Sequence, residues 1–133
     1  MEAVAVKTAI RTRVLAADAV LDLIGVRFYQ AHIATITDPV YPCANFVLGP
    51  GDLVENLARV ANWTMRLWCW SSVSVDHAQE ICKAIQIVLQ QVPIRGSNLN
   101  VVCTLTGLPT EMFEPIEELH YVITPWGVRA FES

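Results

Sequence analysis

Residues 62–71 read NWTMRLWCWS and run straight into SVSVDHAQEI, residues 72–81. Side chains alternate along a strand, so Trp63, Met65, Leu67 and Cys69 share one face, while Thr64, Arg66, Trp68 and Trp70 share the other. Both faces carry large apolar groups. The chain's own helices can cover one of them, and the fold is decided by what covers Trp68 and Trp70 on the second.

Immediately downstream, Ala78, Ile81, Cys82, Ile85, Val88, Leu89 and Val92 recur at helical spacing opposite Gln79, Lys83, Gln86 and Gln90. Ser74 or Asp76 supplies the N-cap, and Pro93 marks the end. A second helix is expected at the N-terminus, where Ala3, Val6, Ile10, Val14 and Ala17 form a narrow apolar stripe. The stretch AVLDLI, residues 19–24, continues it as a kinked piece or a separate turn, capped by Asp18 and ended by Gly25.

Strands are predicted at 26–33 (VRFYQAHI), 44–49 (ANFVLG), 62–70, 99–107 (LNVVCTLTG) and 118–124 (ELHYVIT), each rich in β-branched or aromatic residues. Residues 34–42 read as a loop fixed by two prolines, and 108–117 (LPTEMFEPIE) as an acidic loop. Gly49, Pro50 and Gly51 stop the second strand. The stretch 52–61 (DLVENLARVA) fits either a helical turn or a hairpin arm, and Pro125 with Gly127 bends the chain before VRAF. The expected fold is α+β in one domain, 1–133: two layers, a mainly antiparallel sheet of about five strands, and two main amphipathic helices on one face. Trp68 and Trp70 then sit on the uncovered face, unless a loop folds back over them.

The chain of 133 residues is 53 % hydrophobic and 17 % charged, where a typical soluble domain has about a quarter charged. That shortage of polar cover is met by a membrane, by a partner or by further copies. No run reaches the roughly 20 apolar residues of a bilayer span. Glu2, Lys7, Arg11 and Arg13 interrupt the N-terminus, which reads as neither signal peptide nor anchor. Interfaces are enriched in Trp and Tyr, which favours association of copies through Arg66, Trp68 and Trp70. Of the net charge of −4, residues 1–70 contribute nothing, with six basic and six acidic groups, while 71–133 carry three and seven. Such a surface repels phosphate, yet lets DNA pass without sticking.

No pattern joins His32, His77 and His120 to the cysteines or carboxylates as a catalytic or metal-binding set, so no enzyme, cofactor or metal is expected. Cys43, Cys69, Cys82 and Cys103 lack any C-x-x-C pairing and read as reduced, three of them core-facing. Glu111, Glu114, Glu117 and Glu118 form either a solvated loop or a surface for a basic partner or cation.

The order PVYPCANFVLGPG, a long arm, WTMRLWCWSS and SVDHAQEICKAIQIVLQQV resembles the tail terminator, or tail completion, proteins of long-tailed bacteriophages. The resemblance rests on Pro42, Phe46, Val47 and Gly49, on Leu67, Trp70 and Ser71, and on Ala78, Ile81, Ile85 and Leu89. It implies a hexameric ring that caps the completed tail tube, stops its polymerisation and presents its other side to the neck and head-completion proteins. It further implies a virion component assembled in the host cytoplasm, with itself and the major tail tube protein as partners and no catalysis. Within that frame Arg66, Trp68 and Trp70 are candidates for the subunit contact, and Glu111, Glu114, Glu117 and Glu118 for a lumen or partner-facing surface. A head-closure protein of the same neck, or a small enzyme or ligand-binding domain, are the alternative readings.

Overall fold

Residues 62–71 belong to the central strand of the sheet. The structure is a computed structural model and describes residues 2–54, 57–96 and 98–132. Strand β3 (Leu57–Ser71) pairs antiparallel with β2 (Cys43–Val54) on one side and with β7 (Leu119–Glu132) on the other. Beyond β7 lie β5 (Leu99–Leu105) and then β4 (Ile94–Arg95), while β6 (Thr110–Glu114) pairs with the first part of β7. A two-residue β1 (Phe28–Tyr29) runs parallel to β2 and makes the sheet mixed. Among the described residues the sheet thus has seven strands in place of the expected five.

Two of the lengthened strands, β2 and β7, pass through residues that read as stops. The second strand does not end at Gly49: Leu48 pairs with Met65 and Gly51 with Trp63, so Gly49 and Pro50 together oppose Thr64 as a bulge. Pro50 is tolerated because β1 pairs β2 only at Ala44 and Asn45, leaving this part of β2 a free edge that needs no donor. The arm beyond it is a β-hairpin, of which residues 55 and 56 lie outside the described residues. Likewise Pro125 does not bend β7. Strand β6 pairs with residues 119–123 and β5 with 126–132, so Pro125 falls where one neighbour hands over to the other. There the chain needs only an acceptor, and the Pro125 carbonyl takes the Thr106 N–H at 3.0 Å. The expected acidic loop at 108–117 contains β6, which fits between Pro109 and Pro115, so neither proline falls inside the strand. The expected strand 26–33 shrinks to β1, because the chain leaves the sheet at residue 30 to cross its outer face.

Three helices, α1 (Ala3–Leu15), α2 (Asp18–Ile24) and α3 (Val75–Leu89), cover the other face. Met65, Leu67 and Cys69 of β3 meet Phe46, Val122, Trp126 and Val128 in that layer, beneath Ile81, Ile85 and Leu89 of α3 and Val6, Ile10 and Val14 of α1. Trp126 is only 2 % exposed, and its indole N–H donates to Thr124 Oγ1 at 2.8 Å, which satisfies both groups inside the core.

The space around the bulge generates a prediction. A Cβ at Gly51 would run into the indole of Trp63 on the paired strand. Gly51→Ala should therefore destabilise the fold by about 1–3 kcal/mol, an overpacking cost, read as a lowered midpoint in urea unfolding; an unchanged midpoint would remove this packing from the account.

Candidate functional site

Among the outward side chains of β3, Trp70 does not stand open. It is 8 % exposed, because residues 30–42 fold back across the outer face. Its indole N–H donates to Asn45 Oδ1 at 2.8 Å, and the Asn45 amide donates to the Ala31 carbonyl at 2.9 Å. The ring stacks on Tyr121 with centroids 4.4 Å apart and meets Tyr41 at 6.2 Å. Cys43 and Leu119 complete this second, smaller core, with Tyr29, Ile33 and Trp68 against it. Alternation places Trp70 on the outer face as expected, but the expectation that it lies uncovered there is corrected. A buried amide beside an indole holds the covering loop.

Trp68 and Arg66 lie where that loop ends. Trp68 is half-buried with its ring 6.0 Å from the exposed His32 ring, and Arg66 is exposed. Together with Val47, Gly49, Thr64 and Pro125 they line a groove of about 470 Å³ along the outer face. The structure therefore separates the three residues singled out from sequence: Arg66 and Trp68 border an open groove, and Trp70 anchors the wall beside it. Asn45 and Tyr121 were missed. Their signal was a lone amide in an apolar strand, and an aromatic sharing the Trp70 row of the sheet.

The four acidic residues do not form one surface. Glu111 accepts from Gln79 Nε2 at 3.1 Å, which ties β6 to α3. The Glu114 carboxylate accepts from the backbone N–H groups of Ile116 and Glu117, at 2.9 and 2.7 Å, and so closes the turn between β6 and β7. Glu117 and Glu118 project from that turn, with Glu118 at φ 55° and Ile116 90 % exposed beside them. Burial, followed by the electrostatic influence of the neighbouring Cys43 and of the Glu117 and Glu114 carboxylates, holds the Tyr41 hydroxyl above its ordinary pKa.

His77 belongs to a helix cap. Ser71 is fully buried, its Oγ accepts from the Val73 N–H at 3.0 Å, and it lies 2.7 Å from His77 Nδ1. Having accepted one backbone donor, the hydroxyl is free to donate its proton to Nδ1. Ser74 Oγ accepts from the His77 N–H at 3.1 Å, the N-cap bond of α3. Consecutive residues therefore serve opposite faces: Trp70 clamps the outer loop, and Ser71 starts the inner helix. This gives a physical reason for a Trp-Ser pair at the end of this strand.

All four cysteines are free and buried. Burial pushes the Cys43 and Cys103 thiols up to about 12 and raises Cys69 well above its ordinary range, which keeps them protonated and poorly nucleophilic. Among the described residues, no group of three or more His, Cys, Asp or Glu side chains is placed to hold a metal ion. No described helix is long and apolar enough to cross a membrane.

No family model matches the chain, and no curated protein matches it. Solved structures do. A chain of the virion of a native gene transfer agent particle superposes with a TM-score of 0.74, at 16 % identity, over 100 % of both chains. A second solved chain gives a TM-score of 0.62 at 11 % identity, covering 98 % of this chain and 96 % of that one. At these identities the likeness is one of fold.

Two predictions arise from these contacts. Asn45→Ala leaves the Trp70 N–H and the Ala31 carbonyl without their partner, and should cost about 1–3 kcal/mol. Denaturant unfolding reads the loss, and a red shift of tryptophan emission reads the loosened loop; no change in either would deny the clamp its role. The thiols give the second. Unfolded Cys ionises near 9.0 and folded Cys43 and Cys103 only near 12, so above pH 9.0 the unfolded state binds fewer protons. Stability should fall from pH 9 towards pH 12, by about 1.4 kcal/mol per pH unit per thiol. The double variant Cys43→Ala/Cys103→Ala should show a shallower slope in unfolding measured across that range.

Proposed function

We propose that this chain is a structural virion protein of the tail terminator kind, whose copies, six in number, close into a ring at the end of a completed tail tube. The observation that carries the reading is the full-length likeness in fold to a chain of a gene transfer agent virion. The resemblance in the order and spacing of the Pro42–Gly49, Leu67–Ser71 and Ala78–Leu89 motifs narrows it to the terminator. The ring caps the tube, ends its polymerisation and joins the tail to the neck and head-completion proteins.

The mechanism is geometric and uses no catalysis. A subunit contact that joins two different patches of the same chain generates a closed ring when its rotation divides the circle. Tube-matching contacts then lie on one side of the ring only, so a second layer of tube protein finds no template. Arg66 and Trp68, backed by Trp70, supply the subunit contact on the outer sheet face. Glu117 and Glu118, the two acidic residues that project, face a partner or the lumen, and the excess negative charge of the second half of the chain lets DNA pass without specific binding. The protein is thus at home in the virion, at the junction of tail and neck, after assembly in the host cytoplasm.

Electron microscopy of the purified protein mixed with tail tubes and free tube subunits tests this reading. One ring at one end of each tube, and tubes that no longer lengthen, are the expected outcome. Binding to portal rings while tube ends stay bare would instead indicate a head-closure role and overturn the terminator assignment.

A further inference from the structure

The outer face carries two features that complement each other and lie too far apart to meet within one molecule. The first is the groove bordered by Arg66 and Trp68, apolar along most of its length. Among the described residues, none hydrogen-bonds or ion-pairs with the Arg66 guanidinium. The second is the β6–β7 turn, residues 115–118. Its tip is Ile116, 90 % exposed, followed by Glu117 and Glu118, both exposed. Glu114 spends its carboxylate on the turn's own backbone, which fixes the shape of the tip and leaves Glu117 and Glu118 as the outward charges.

The turn opens at the Glu114–Leu119 pair, whereas Arg66 pairs with Pro125. Six residues along an extended strand are about 20 Å, and the loop 30–42 stands between. A turn therefore cannot fill the groove of its own chain.

We propose that the 115–118 turn of one copy docks in the outer-face groove of the next, with Ile116 against Trp68 and the Glu117 and Glu118 carboxylates on Arg66. The occupant is a second copy because an apolar tip flanked by two carboxylates matches an apolar channel edged by a guanidinium and an indole. Arg is suited to this position, since its planar fork donates two parallel hydrogen bonds to a carboxylate and stacks on aromatic faces. The contact is head-to-tail: groove and turn are different patches, so each copy keeps one of each free for a neighbour on either side. This inference rests on the ring reading above and names the surfaces that would close the ring.

Charge reversal separates the two. Particle mass is measured by light scattering and native mass spectrometry, on the free protein and on protein bound at tube ends, with circular dichroism as the check of folding. Arg66→Glu and the double variant Glu117→Lys/Glu118→Lys should each lose the ring and run at single-chain mass while remaining folded. The triple variant carrying all three changes should regain the ring. So should an equimolar mixture of Arg66→Glu with Glu117→Lys/Glu118→Lys, because each supplies the charge that the other's neighbour now needs. Wild-type protein that stays single both free and at tube ends would overturn the ring itself. Wild-type rings that survive Arg66→Glu, or a triple variant and mixture that both stay single, would overturn this contact and leave the ring standing.

Discussion

Strand β3 is hydrogen-bonded along its length on both sides, so none of its side chains can be relieved by twisting an edge into solvent; each has to be housed on one of two faces. Everything else in the fold follows from how the two faces are housed. The inner one takes Met65, Leu67 and Cys69 under α3, whose five buried residues make it the main cover, with α1 and α2 packed alongside. The outer one is not housed by helices, because α1 and α2, which precede β1, and α3, which joins β3 to β4, all pack on the inner side. A loop of thirteen residues, 30–42, does part of the work and stops at Trp68.

That stopping point divides structure from association. Burying an indole fully requires a partner for its N–H, and Asn45 provides one only for Trp70. Trp68 has no such partner among the described residues and remains at the margin, half in the loop cluster and half in the groove. Apart from this groove, exposed large apolar side chains are scattered over the surface, among them Val73, Ile87, Leu108, Phe113 and Ile116.

What could be read from sequence was whatever depended on near neighbours. The unbroken helical spacing of Ala78 to Leu89 and the two-residue alternation of 62–71 each encode a face without reference to the rest of the chain. What was misread depended on distant ones. Gly49–Pro50, the 108–117 stretch and Pro125 all read as stops, because a missing donor or a small residue usually ends a strand. Here each missing donor lies at an unpaired edge or at the gap between β5 and β6, and that is set by strands remote in sequence. The clamp on Trp70 was hidden for the same reason, since Asn45 is 25 residues away. The acidic run was legible as charge but not as geometry: one carboxylate binds a helix side chain, one closes a turn, and two project.

The adjacency of Trp70 and Ser71 sets a parity for the whole central strand. Adding one residue anywhere between Asn62 and Trp70 would reverse the faces downstream of it or force a bulge, sending the indole toward α3 and the capping hydroxyl toward the loop. Substitution can adjust either face by itself, but length cannot vary by a single step without disturbing both. Relatives of this chain, however far their sequences drift, are expected to keep the count of residues from the strand's centre to the start of the helix.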